Sequence, residues 1–508
     1  MGEKLDKIAS GIIFFFSILF LSLCTLMSLM FTFTVENLNI LSDNSFLTIV
    51  CVIVVCAVIY FINIILVKLY KKHTAYEYAH LFVTIILVCG TAFVVLRGMN
   101  QSPQSDALAV YNIAKNFSKN DYGAYTSTGS YLALFPFQTS FVFVMEMIMR
   151  VTGKVGYILF QYMNICYFFL IVLSGYGIIK CQKGSRYTIF PYFVLITTCI
   201  PIYFYIPNIY GDIPHVALML FALWMFCLAQ ECSKTTGKVM AFVVGCCSCA
   251  LAVMYKGNSW ILVVALVLCV GVNIMNVFQW QQVLGAALLL MTIVVGSALP
   301  DYIYENKTGR DCGTGIPTSA VLAMGMQESN GVCGGWNGFH STTFEETGYN
   351  YDETLRISQE SIVESIERFK NEPSYFWEFY RNKMIVQWAE QEFSSFYTLM
   401  MVRERTRAAW TESVLFGEVR GIILEIMDIH QSVVYVFALF FVVYTSVAKK
   451  DLGFGNKVLL VTFIGGFLFT IIWEAGARMA LPYFIMLIPV AGQGIGDIQC
   501  LFCKEERA

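Results

Sequence analysis

Four charged residues hold most of the chemistry this sequence offers: Asp106, Asp212, Lys256 and Arg478. Each lies in a short polar break between long apolar runs. Asp106 follows Ser105 within residues 97–130. Asp212 and His215 sit in Tyr210-Gly211-Asp212-Ile213-Pro214-His215. Lys256 lies in Tyr255-Lys256-Gly257-Asn258, and Arg478 ends Glu474-Ala475-Gly476-Ala477-Arg478. An acid with separate cations suits a substrate that carries a phosphate. Lysine and arginine hold phosphate through charge-assisted hydrogen bonds. They also stabilise charge that develops on it as a bond to it breaks. A carboxylate can act as general base for an attacking hydroxyl. A phosphate leaving group needs no second acid to protonate it, unlike the leaving alcohol of a glycosidase. Asp106 is therefore the candidate base, and Lys256 and Arg478 the candidate phosphate ligands. Asp212, His215 and Tyr255 are candidate substrate-binding residues; Asp212 has three open roles, as assistant, acceptor guide or turn cap.

The competing explanation is structural. Charges at the ends of membrane helices often serve as anchors whose stems lie along apolar surface. Their concentration argues for function: two acids, a lysine and an arginine recur at short turns, whereas the turn near 33–45 holds no cation.

The elements that must position these residues are membrane helices. The 508-residue chain is 57% hydrophobic and 13% charged, against about half and about a quarter in soluble domains. Its apolar residues form runs of the roughly 20 residues that cross a bilayer as a helix. The expected fold is an all-α polytopic membrane protein. Spans are expected at 10–32, 46–68, 78–96, 156–179, 187–206, 212–230, 239–255, 258–277, 281–300, 428–447, 456–473 and 479–498, with 131–150 less regular. The chain divides into a two-helix extension (1–77), a core (78–300) with a first external loop (97–130), a long external region (301–427) and a three-helix end (428–508). The near balance of 33 Lys and Arg against 35 Asp and Glu gives no sign of nucleic-acid binding. The first apolar run is too long for a signal peptide and reads as a retained helix.

Cytoplasmic loops of membrane proteins are rich in Lys and Arg, which orients the chain. Lys4 and Lys7 place the N-terminus inside, and Lys68, Lys71 and Lys72 place 97–130 outside. If 131–150 crossed fully, Lys180, Lys183 and Arg186 would fall outside. If it enters and returns, those residues, Lys234, Lys238, Lys449, Lys450, Lys457, Lys504 and Arg507 all fall inside, and only Arg150 and Lys154 are misplaced. The second solution is preferred, with about twelve crossings and one partial one. It puts all four chemical residues on one face.

In 301–347 no helical period survives, and the stretch reads as loop. Helical spacing returns in 353–371, and 374–391 reads as an aromatic interfacial helix with Trp377, Phe379, Tyr380 and Trp388. Cys312 and Cys333 are either a disulfide or two free thiols. The remaining cysteines lie mostly in apolar runs and read as small hydrophobes. His215 and His340 with Asp212 could make a divalent-metal site, but they lack metal-ligand spacing, so no metal or other cofactor is indicated.

Several short motifs resemble the GT-C superfamily of membrane glycosyltransferases, which includes protein O-mannosyltransferases and the aminoarabinose transferase of lipid A. Ser105-Asp106 followed by Tyr111 and Ala114 is similar to that family's first-loop motif. Tyr131 to Gln138, running on to Arg150-Val151-Thr152-Gly153, looks like its proline-containing entry. Tyr255-Lys256-Gly257 resembles its Lys-Gly turn, and Ala477-Arg478-Met479-Ala480-Leu481-Pro482 its late arginine motif. The chain departs from the pattern at Ala107, where relatives often have a second acid, and at Met479, where they have an aromatic residue. The resemblance implies a GT-C-like bundle of about 12–13 helices in a bacterial plasma membrane. It implies an inverting transferase taking a sugar from a polyprenyl-phosphate donor to an envelope glycan, lipid or protein acceptor at the outer face. A transporter or flippase of an envelope lipid or glycolipid is the alternative; it would show inverted repeats and broken helices. A third possibility is an envelope-assembly scaffold whose charges are anchors only.

Overall fold

The computed structural model describes residues 2–34, 38–182, 185–276, 280–329, 331–401 and 407–502, leaving aside the side chains of 2–5 and 276. The Lys4 side chain, Lys183, Lys504 and Arg507, used above to orient the chain, lie outside this set. The protein is an all-α multi-pass membrane protein. Among the described residues, eleven helices are long and apolar enough to cross a membrane. Sheet is confined to two small hairpins, Phe31–Thr34 with Asn39–Ser42 and Glu328–Ser329 with Val332–Cys333.

The most enclosed helix is the last, Ala477–Phe502. It packs against Val419–Val447, Gly453–Ile472 and Ile189–Thr197. Small residues allow these approaches, as is usual where lipid gives helices no hydrophobic reason to associate. Gly466 lies against the Tyr483 ring, Gly494 against the Phe437 carbonyl and Gly492 against the Tyr192 backbone. The N-terminal helix Gly2–Met30 is part of the same core. Phe20 stacks on Phe467 at 4.3 Å, and Ser432 Oγ donates to the Ser28 carbonyl at 3.2 Å.

The two ends of the bundle differ. At one end Lys180 pairs with Glu77 at 3.0 Å, Lys457 with Asp6 at 3.2 Å and Lys450 with Asp497 at 3.6 Å. Arg186 donates to the Tyr70 carbonyl there. At the other end Gln161, in the first turn of Ile158–Cys181, donates to the carbonyls of Gln101 and Pro207 at 2.8 and 2.9 Å. Helix Thr74–Met99 therefore ends where Ile158–Cys181 begins, and the chain between them makes no net crossing. Within it, Gly123–Leu134 and Pro136–Thr152 meet at a 107° bend. Arg150, an apparent misfit in the charge pattern, bonds Glu146 at 2.7 Å and the Phe117 carbonyl at 2.6 Å.

Three expectations need correction. The run 187–206 is not one helix but two, Ile189–Thr197 and Ile200–Tyr205. Pro201 has no N–H to continue a ladder and disfavours helical geometry before it. Helix in the 301–347 stretch is more extensive than its composition suggested. Trp280–Thr308 runs on past Pro300, and Thr318–Gly325 and Phe339–Glu346 are helical. Third, Pro373–Trp388 does not simply lie at a surface. Trp377 is exposed, but Phe379, Lys383 and Trp388 are fully buried. The Trp388 indole donates to Thr470 Oγ1 at 3.1 Å, and its carbonyl accepts from Tyr435. With its polar atoms satisfied, an aromatic helix end can enter the bundle. Residues 353–371 do form the expected helix, Tyr351–Asn371. Cys312 and Cys333 are free thiols.

Candidate functional site

At the end opposite the lysine pairs, a cavity of about 240 Å3 opens between four chain segments. Its lining comes from residues 101–107, from Pro207, Asn208 and Tyr210, from the 394–401 segment and from the turn 474–479. Asp106 and Arg478 both line it.

Asp106 lies in the first turn of Ser105–Phe117. The helix starts two residues beyond Pro103, at Ser105, which takes a left-handed backbone (φ 45°). Such geometry is uncommon outside glycine. Among the described residues, the Asp106 side chain makes no hydrogen bond or ion pair. Its charge nevertheless reaches Glu474 and His340.

Arg478 lies in the first turn of the central helix. Its guanidinium lies 5.2 Å from the centroid of the Tyr210 ring and 4.0 Å from Asp212 Oδ1. Among the described residues its N–H groups hydrogen-bond no one. A guanidinium carries five N–H donors in a fork that suits phosphate.

Asp212 and Lys256 form an ion pair. Asp212 is 3% exposed, and Asn208 Nδ2 donates to its Oδ2 at 3.1 Å. The Lys256 ammonium also lies 5.5 Å from the Tyr210 ring centroid, so one aromatic ring serves two cations. Gly211 (φ 84°) makes the turn possible; a Cβ there would sit 3.2 Å from the Tyr255 carbonyl. Lys256 and Asp212 thus neutralise each other just behind Arg478.

Tyr255 and His215 lie deeper and do not line the cavity. The Tyr255 hydroxyl meets that of Tyr167 at 3.1 Å, and its ring packs on Phe141. His215 Nδ1 bonds the Gly211 carbonyl at 2.9 Å. His340 is mostly buried near the Phe135 ring, and burial lowers its proton affinity. Among the described residues no cluster of three or more His, Cys, Asp or Glu side chains is arranged to hold a metal.

Two residues given no role from the sequence belong to the site. Tyr210 is held by Gln138, which donates to its hydroxyl at 2.7 Å, and by Tyr131 at 3.1 Å. Burial, and then the Asp106 charge, push its phenol up. Glu474 lines the cavity beside Arg478. Burial pushes its carboxyl up to about 7, with Asp106 adding to the effect and Arg478 and Lys383 opposing it. The turn carrying Glu474 is braced by the long polar region, since the Ala475 N–H donates to the Gly334 carbonyl at 2.7 Å. The signal for both was their place in turns already rich in charge.

The arrangement provides a carboxylate and a guanidinium, neither hydrogen-bonded to another described residue, lining one open cavity, with the Lys256–Asp212 ion pair beside the cation. It can take a proton at one wall and hold an anion at the other. Comparison of the chain with protein-family models, curated proteins and solved structures returned no match.

Proposed function

We propose that the protein is a membrane glycosyltransferase of GT-C type, using a polyprenyl-phosphate sugar and an envelope acceptor. One observation carries this reading: Asp106 and Arg478 line the same cavity, and neither side chain hydrogen-bonds another described residue. Charged groups that line a cavity and hydrogen-bond no other side chain are open to a ligand with complementary charge.

In this reading Arg478 binds the donor phosphate. Asp106 takes the proton of the acceptor hydroxyl. The acceptor oxygen bonds to the anomeric carbon as the carbon–oxygen bond to phosphate breaks. The electron pair leaves with the lipid phosphate, beside the guanidinium. The donor enters with one negative charge and leaves with two, while Asp106 becomes neutral, so the cavity's total charge is unchanged. The Lys256–Asp212 pair holds Tyr210 and Arg478 in place.

A carrier for an envelope lipid is the second reading. The break between Ile189–Thr197 and Ile200–Tyr205 favours it, since discontinuous helices are common in carriers. Purified protein incubated with a panel of polyprenyl-phosphate sugars and envelope acceptors separates the two. Release of lipid phosphate with glycosylated acceptor supports transfer. Movement of intact lipid across vesicles, with no release, would overturn it.

A further inference from the structure

Glu474 is the second carboxyl on the cavity, four positions before Arg478 and on the same wall. Among the described residues it makes no hydrogen bond or ion pair, although Arg478 is its neighbour. Its position is fixed. The Ala475 N–H bonds the Gly334 carbonyl at 2.7 Å, and Gly335 and Ala475 form a parallel bridge. Gly325 lies under Trp473, where a Cβ would come within 2.8 Å of the Trp473 carbonyl oxygen. A loop is thus held against the turn from outside, and Glu474 lines the same cavity as Arg478.

Charge then decides its state. Lys256 and Asp212 cancel. That leaves Arg478 as one positive charge against Asp106 and Glu474. A bound phosphodiester adds one more negative charge. With Glu474 ionised, the cavity would hold three anions around one cation in a partly desolvated space. With Glu474 protonated, its O–H becomes a donor aimed at the anion. The charged groups facing it are Arg478 on the central helix, Asp106 across the cavity and Lys383 behind the turn. Lys383 is committed elsewhere, donating to the Gly325 carbonyl at 2.6 Å.

We infer that Glu474 is a positioning residue that binds the donor phosphate as a neutral carboxylic acid, donating a hydrogen bond beside Arg478 and linking donor binding to uptake of a proton. The inference rests on the donor site proposed above. The affinity of the carboxyl for a proton near neutral pH is in keeping with it.

The test is equilibrium binding of a polyprenyl methyl phosphate diester to the purified full-length protein between pH 6 and 9. This probe keeps one negative charge throughout, so its own titration adds nothing. Wild-type affinity is expected to be flat below about pH 7 and to fall above it, approaching tenfold per pH unit for one linked proton. Glu474→Gln keeps a donor without an ionisable group, so it should bind with no pH dependence. An unchanged pH slope in Glu474→Gln, with binding still abolished by Arg478→Ala, would overturn the role of Glu474 alone. No binding by the wild type at any pH would overturn both this role and the donor site.

Discussion

Asp212 is paired with Lys256 and stands 4.0 Å from Arg478, so one buried carboxylate faces two cations, of which only Arg478 lines the cavity. Four charged residues in separate turns thus resolve into a buried pair outside the cavity lining and two groups that line it. Removing one member of a buried pair leaves the other charged without a partner, which costs about 3–5 kcal/mol. Asp212→Asn should therefore lower the thermal midpoint of the purified protein markedly. Lys256→Met added to it should restore most of the loss, because the stranded charge is gone. Equal midpoints for the single and double variants would argue against the pair.

Asp106 stands apart from such structural roles, because its side chain supports nothing among the described residues. Asp106→Asn should keep the wild-type thermal midpoint and lower the rate of transfer by roughly 10²- to 10⁴-fold, the usual worth of a general base. A folded variant with wild-type kcat would remove the base assignment.

The turn that carries Glu474 is held from outside by the 318–335 segment. Gly325 packs against the backbone of Ile472 and Trp473, and a Cβ there would lie 3.0 and 2.8 Å from their carbonyl oxygens. Gly325→Ala should destabilise by about 1–3 kcal/mol, as overpacking does, and should raise KM for the donor. A raised KM for the acceptor alone would place the turn on the other substrate.

Lys383 is buried with the Gly325 carbonyl as its partner, and burial pushes its ammonium down to about 7. An unfolded lysine titrates near 10.4. Below pH 7 both states carry the charge and the folded protein bears the full burial penalty. Between pH 7 and about 10.4 only the unfolded state binds the proton, so stability rises with pH, by at most about 1.4 kcal/mol per unit. Wild-type thermal midpoints should rise from pH 7 to 9.5 more than those of Lys383→Met. The same rise in both would place the proton linkage elsewhere.

Much of this architecture was legible because it rests on length and polarity. Among the described residues, eleven apolar runs form helices long enough to cross a membrane, because each is continuous enough to satisfy its backbone internally. The run 187–206 has the same composition, yet Pro201 breaks it, and neighbouring helices decide whether such a break is tolerated. Trp388 read as interfacial because an aromatic amphipathic helix suits a membrane surface. Its burial depends on Thr470 and Tyr435, which no local pattern connects to it. Asp106 and Arg478 stood out as charges in breaks between apolar runs. Tyr210 and Glu474 lay in the same breaks, but an aromatic and an acid at a helix end read as ordinary anchors. Their roles depend on what faces them across the cavity, which only the packing of distant segments sets.

The placement of Asp106 and Arg478 on one cavity is the centre of the proposed reaction. Single-turnover transfer from a preloaded polyprenyl-phosphate sugar tests it most directly, with wild type, Asp106→Asn and Arg478→Ala compared alongside donor binding. Asp106→Asn should bind donor normally and fail to release lipid phosphate, while Arg478→Ala should lose donor binding itself. Normal phosphate release by Asp106→Asn, or undiminished donor binding by Arg478→Ala, would contradict it.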